Sequence, residues 1–177
     1  MREMAGLMRV IGLDVGDRRI GVALSDPLGF TAQRLTVLER TRVSQDVEAV
    51  RVLVERHGVQ TVVVGLPLTM RGERGPQAQK VASFSDELRR RLAIPIEFID
   101  ERLTTVQGSR ALQEIGTRGR KRKAVIDQVA AQLILQQYLD MAREAPPRHP
   151  AGRGGIPSDP APRERGAGES REPSEPE

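Results

Sequence analysis

Val10-Ile11-Gly12-Leu13-Asp14-Val15-Gly16-Asp17-Arg18-Arg19-Ile20-Gly21-Val22-Ala23-Leu24 decides the architecture. Residues 8 to 15 form an apolar run with the pattern of a buried strand, and an acid stands at its end. Gly16-Asp17-Arg18 reads as a tight turn, and Arg19 to Leu24 as a second strand. After the turn Asp26-Pro27-Leu28-Gly29, Phe30 to Leu38 reads as a third. Turns this short join antiparallel neighbours, so the chain opens with a three-stranded meander.

The pattern then changes period. Val43, Val47, Val50 and Val54 recur at helical spacing, with Gly58 placed as a C-cap. Thr61-Val62-Val63-Val64 has the character of a strand in a parallel sheet. Leu66 to Gly75 is a loop holding Pro67, Gly72 and Gly75, and Val81, Phe84, Leu88 and Leu92 mark a second helix. Ile94 to Ile99 is a fifth strand. Thr104 to Ile115 reads as a third helix with Thr104 or Thr105 as N-cap, Arg118 to Lys123 as a basic loop, and Ala124 to Arg143 as the last helix. Strand-helix-strand crossovers make the later strands parallel. The expected fold is α/β, a mixed five-stranded sheet of three antiparallel strands followed by parallel ones, flanked by helices.

Composition divides the chain. Residues 144–177 hold eight of the twelve prolines, five glycines and almost no large apolar side chain. Such a segment cannot bury enough surface to offset its ordering entropy, so it is expected to be a disordered tail. Residues 1–8 are expected to be an N-terminal extension, with Met4 or Met8 as alternative starts, and residues 9–143 the folded domain. Residues 1–143 carry 23 Lys and Arg against 17 Asp and Glu, which favours a polyanionic partner. With no cysteine there is no disulfide framework, thiolate zinc site or cysteine nucleophile. The two histidines, His57 and His149, do not suggest a metal site or triad. No apolar run approaches the roughly 20 residues of a membrane span, and the first residues do not resemble a signal peptide.

Three acids stand where the pattern predicts burial: Asp14, Asp127 within Ala124-Val125-Ile126-Asp127-Gln128-Val129-Ala130-Ala131, and one of the neighbours Asp100 and Glu101. Burying an unpaired carboxylate costs several kcal/mol, so a metal or a cationic partner is expected. Acids converging from distant segments suit Mg²⁺ or Mn²⁺, which prefer oxygen ligands. Asp127, Ala130, Ala131, Ile134 and Tyr138 share one helical face, and the two alanines leave the acid room to reach the sheet. The plainer readings are a turn cap for Asp14, a favourable helix-dipole position for Asp127, and pairing of Asp100 with Arg102. Alternation sends Asp100 and Glu101 to opposite faces, and periodicity does not choose between them. Gly16 is expected to admit a ligand to the backbone, and Gly21 to let strands pack closely.

Cations surround these acids. Arg118, Arg120, Lys121, Arg122 and Lys123 precede the Asp127 helix, and Arg71, Arg74 and Lys80 lie in and after the glycine-containing loop. These are candidate phosphate contacts, as are Arg19 and Arg102, whereas Arg89-Arg90-Arg91 reads as an exposed helix face. Aromatic residues are confined to Phe30, Phe84, Phe98 and Tyr138, of which Phe84 and Phe98 look like core. Aromatic base-stacking platforms are therefore not expected, and recognition should rest on phosphate charge and shape.

Together these strings resemble the YqgF/RuvX family of bacterial ribonuclease-H-like nucleases. They are Gly12-Leu13-Asp14-Val15-Gly16 with Arg19-Ile20-Gly21-Val22-Ala23, Ser25-Asp26-Pro27, Val63-Val64-Gly65-Leu66-Pro67 and Met70-Arg71-Gly72. Asp100-Glu101-Arg102-Leu103-Thr104-Thr105 and Ile126-Asp127-Gln128-Val129-Ala130-Ala131 with Ile134-Leu135 complete the set. The element order matches the ribonuclease-H-like layout, in which the first strand is central and bears an acid. The resemblance implies metal-binding catalytic acids at Asp14, Glu101 and Asp127, preferring Glu101 to Asp100. It also implies a cytoplasmic enzyme that cuts either a four-way (Holliday) DNA junction or the 5′ end of precursor 16S rRNA.

The expected mechanism is hydrolysis with two Mg²⁺ or Mn²⁺ ions roughly 4 Å apart. Asp14 would bridge both, and Arg19 or Arg102 would neutralise phosphate charge. Symmetric nicking of a junction would require a homodimer. A sugar-kinase or actin-like ATPase also begins with Asp-x-Gly on a first strand, but needs two such domains, and this chain has room for one. A non-catalytic nucleic-acid-binding module is the third reading, weakened by the presence of all three acids.

Overall fold

The computed structural model describes residues 8–103 and 120–145. Residues 1–7 of the expected N-terminal extension, the helix expected over 104–115, Arg118 and nearly all of the tail lie outside them. The meander is β1 (Arg9–Val15), β2 (Arg19–Ser25) and β3 (Ala32–Glu39). There follow α1 (Val43–His57), β4 (Val59–Leu66), α2 (Pro76–Arg91), β5 (Ile96–Asp100), a 3-10 turn (Glu101–Leu103) and α3 (Arg120–Glu144). The strand order is β3-β2-β1-β4-β5. β1 runs antiparallel to β2 and parallel to β4, and β4 runs parallel to β5. The acid-bearing first strand is thus central in a mixed five-stranded sheet.

Alternation along β1 separates two cores. Ile11, Leu13 and Val15 face α1 and α2, where they pack with Val47, Val50, Val62, Val64, Val81, Phe84 and Leu88. Val10, with Ala23, Val63 and Ile99, meets Ala131, Ile134, Leu135 and Leu139 of α3 on the other face. Asp14 shares parity with Val10 and Gly12, so it opens toward α3. Gly58 ends α1 at φ 61°, the left-handed C-cap expected of it.

Several boundaries differ from the sequence reading, among them β4, which runs Val59–Leu66 and not Thr61–Val64, and β5, which begins at Ile96 and not Ile94. β3 begins at Ala32, not Phe30, because the Asp26 carboxylate accepts N–H bonds from Leu28 (3.1 Å), Phe30 (2.7 Å) and Thr31 (2.7 Å), which prolong the turn. These bonds hold Asp26 below the usual carboxylate range. Arg120 to Lys123 are not loop but the first turn of α3. Cations there oppose the helix dipole, yet Arg and Lys are strong helix formers, and propensity prevails. Among the described residues no helix is long and apolar enough to cross a membrane.

Candidate active site

Parallel β1, β4 and β5 all end at one edge of the sheet, and α3 crosses the face above it. Asp14 lies near the end of β1 and Glu101 follows β5 directly. Their carboxyl groups come within hydrogen-bonding reach, so together they can share one proton. Burial, then the charges of Glu101 and Asp127, push Asp14 up to about 7. Burial raises Glu101 as well, and its bond with Asp14 opposes that rise. Asp100 takes the alternative the sequence left open. It is gripped by Arg102 through Nε (3.0 Å) and Nη2 (2.6 Å), which holds it ionised.

Asp127 is placed differently. It lies within electrostatic range of Asp14, but its Oδ2 faces Arg19 Nη1 at 3.7 Å. Burial raises it, and the Arg19 charge opposes that. Arg19 in turn donates Nε to Glu39 at 2.9 Å. Among the described residues, no three acids stand close enough together to enclose a single ion. The arrangement is a carboxyl pair, Asp14 and Glu101, with a third acid beside it on a guanidinium.

Glycines bring α3 onto this face. A Cβ on Gly21 would lie 2.0 Å from the Asp127 carbonyl oxygen, and one on Gly12 2.7 Å from Leu135 Cβ. Gly21 therefore admits the helix backbone, not a neighbouring strand as its position in β2 suggested. A Cβ on Gly65 would lie 2.6 Å from Glu101 Oε1, so its absence makes room for that carboxyl. Gly16 is spent on closing the hairpin: its N–H bonds the Arg19 carbonyl at 2.8 Å, and its carbonyl accepts Arg40 Nη1 at 3.0 Å. That Arg40 also binds the buried Asp46 at 3.2 Å, fixing the hairpin to the start of α1.

The candidate phosphate ligands divide into groups. Arg19 and Lys123 line an open cleft of ≈ 340 Å³ with Gly16, Asp17, Arg18, Ile126 and Asp127. Arg71 and Arg74 are exposed on the loop after β4. Arg102 is committed to Asp100, and Lys80 to Asp17 at 2.9 Å across a solvated pair. Arg120, Lys121 and Arg122 lie in the first turn of α3, their side chains outside the described set, as is all of Arg118. A larger cleft of ≈ 900 Å³ beside α1 and α2, lined by Arg40, Lys80 and Phe84, contains none of the three acids.

Three supporting side chains escaped the sequence reading. Glu39 is the register partner of Arg19 across the β2–β3 ladder, a pairing that meander counting could have found. Gln132 and Gln136, one turn apart on α3, bind the backbone of Ala32 through its C=O and its N–H, each at 2.9 Å. They fix the helix to the edge strand; an i, i+4 glutamine pair is the only signal, and a weak one.

The family model RuvX, described as Holliday junction resolvase, matches residues 8–141. A protein of Moorella thermoacetica named "Putative pre-16S rRNA nuclease" is 53% identical over 133 residues, 75% of this chain and 95% of its own length. One of Clostridium botulinum with the same name is 49% identical, over 75% of this chain and 97% of its own. Among solved structures, T. thermophilus RuvC in complex with Holliday junction substrate superposes with a TM-score of 0.55 at 17% identity, covering 77% of this chain and 96% of that one. That likeness shows the ribonuclease-H-like fold. By the family match over residues 8–141 and relatives near half identical, this chain belongs to the RuvX family and is a nuclease.

Proposed function

We propose that this nuclease hydrolyses phosphodiester bonds of precursor 16S rRNA at the edge where Asp14 meets Glu101. The observation that carries the reading is that half-buried carboxyl pair, assembled from the end of β1 and the residue after β5. Two acids in contact cannot both ionise cheaply in a protein interior, so the pair calls for a cation. Their all-oxygen donors suit a hard divalent ion, and the missing Cβ of Gly65 makes room for the Glu101 carboxyl at that edge. Asp14 and Glu101 would hold Mg²⁺ or Mn²⁺, with Asp127 completing a two-ion set. Bound there, the ions would activate water and neutralise charge on the scissile phosphate.

The chain's own groups do the rest. Arg19 sits between Glu39 and Asp127, and its charge favours the ionised form of Asp127 against the burial that raises it. Its guanidinium lines the same cleft as Asp127, where a phosphate would enter, and Lys123 lines it too. Arg71 and Arg74 offer further backbone contacts on the loop after β4.

The names of the relatives favour RNA. The family description favours a four-way DNA junction, which would need two copies of the chain for paired nicks. A side-by-side cleavage assay with Mn²⁺ or Mg²⁺ on both substrates separates them, with Asp14→Asn as control. Cleavage of the RNA alone supports the first reading, and symmetric paired nicks in the junction support the second. No cleavage of either, with binding retained, would leave a binding module.

A further inference from the structure

We propose that Met70 is an apolar wedge that enters the base stack of the substrate beside the carboxyl pair, directing cleavage to places where stacking is interrupted. The proposal rests on the nuclease reading and adds to it a determinant of substrate structure. Met70 is 94% exposed, the most open large apolar side chain among the described residues. A single exposed methionine is ordinary; its mounting is not.

The loop that carries it is tightly closed. Thr69 N–H bonds the Glu73 carbonyl at 2.9 Å, Gly72 N–H bonds the Thr69 carbonyl at 2.8 Å, and Glu73 N–H bonds Thr69 Oγ1 at 3.1 Å. Leu68 and Arg74 bridge its base, and Gly72 takes φ 81°, a conformation that favours glycine. The turn therefore presents Met70 from a defined backbone.

The loop is also fastened to the active edge. Arg102 Nη1 lies 3.5 Å from the carbonyl oxygens of both Thr69 and Met70, while Asp100 grips the same guanidinium. Arg102 is the residue after Glu101, so the tip is tied one residue from the carboxyl pair. Arg71 and Arg74 follow it on the same loop, exposed and, among the described residues, in no ion pair; Glu73 is the acid between them. An apolar tip on a loop that also carries two unpaired guanidinium groups is poorly matched to a greasy protein surface, which would have to desolvate them. It is well matched to nucleic acid, where phosphates lie to either side of a base step. Methionine is among the side chains suited to entering such steps, and the cost of entry is least where the stack is already open.

The test uses the full chain with 2-aminopurine at the branch point of a four-way DNA junction and at the helix end of a precursor 16S RNA fragment. Binding fluorescence is read in an Asp14→Asn background, and single-turnover cleavage in the active chain. Met70→Ala and the length-matched Met70→Gln should abolish the fluorescence rise and slow cleavage of the interrupted substrate about tenfold or more, the worth of one base stack. Met70→Leu, still apolar, should retain both. Equal rise and equal rates in wild type and Met70→Ala would overturn the wedge while the nuclease reading stands. A rise that depends on Met70 in a wild-type chain that cuts neither substrate would support the wedge and sink the nuclease reading. Failure of the wild type to perturb either probe would overturn the wedge outright.

Discussion

Asp14→Asn should stabilise the metal-free protein at alkaline pH while removing cleavage. In the folded chain Asp14 is pushed from 3.8 up to about 7, first by burial and then by Glu101 and Asp127. A folded value above the unfolded one means that the native state binds the extra proton. The stability tied to that proton is present in full below the unfolded value near 3.8, and is lost as pH rises through about 7. Each tenfold change in the acid constant is worth about 1.4 kcal/mol, so the full loss is of the order of 4 kcal/mol. Asparagine cannot ionise, so the variant is spared that loss. In urea unfolding with chelator present, the variant minus wild-type difference should be smaller at pH 5 than at pH 8. It should climb by about 2 to 3 kcal/mol between them. Taking the difference cancels the acids that titrate alike in both chains, such as Asp26 and Asp100. Adding Mn²⁺ at a hundred times its dissociation constant should return about 2.7 kcal/mol to the wild type and much less to the variant. Parallel pH profiles for the two chains would refute the reasoning, because they would mean that Asp14 titrates as a solvated acid.

The glycines under α3 give a paired contrast. Gly21→Ala places a Cβ 2.0 Å from a backbone oxygen of α3, which cannot swing aside, so urea unfolding should show a loss of about 3 kcal/mol or more, or no folded protein. Gly65→Ala meets only side-chain atoms, Ile134 Cδ1 at 2.4 Å and Glu101 Oε1 at 2.6 Å. It should fold with a loss of about 1 to 2 kcal/mol and yet cleave at least about tenfold more slowly, because Glu101 must move. Arg19→Gln should slow cleavage with the fold retained by circular dichroism, and Glu39→Gln should do so less, since Glu39 is 73% exposed and acts only through Arg19. Leu135→Ala, removing a fully buried side chain between α3 and the sheet, should cost about 2 to 5 kcal/mol in the same unfolding assay. Lys123→Gln should lower the slope of log affinity against log salt by about 0.7 to 0.9 if that side chain meets a phosphate.

Much of this architecture is local information. The apolar run ending at Asp14, the short turn at Gly16-Asp17-Arg18 and the shift from strand to helical spacing at Val43 each depend on neighbours a few residues apart. So the meander and the parallel crossovers were legible in the sequence, and the central position of β1 was implied only by the family resemblance. The α3 face was legible too: Ala131 and Ile134 are buried as their spacing implied. Boundaries were less so, because a side chain such as Asp26 can prolong a turn by collecting three backbone donors. The choice between Asp100 and Glu101 needed the third dimension. Alternation separates the two but does not say which face holds Asp14 and which holds Arg102.

The same limit applies to Arg19. Its charge was evident, but its place between Glu39 and Asp127 follows from the β2–β3 register and from how closely Gly21 lets α3 descend. The sequence alone determined which residue types were available for chemistry, and the strand and helix faces that present them. Which acids touch, which acid a guanidinium takes instead, and which loop is tied beside them were decided by tertiary packing. The physical reason is distance: carboxyl interactions act over a few ångströms, and residues 14, 101 and 127 reach that range only when the sheet and α3 close on one another.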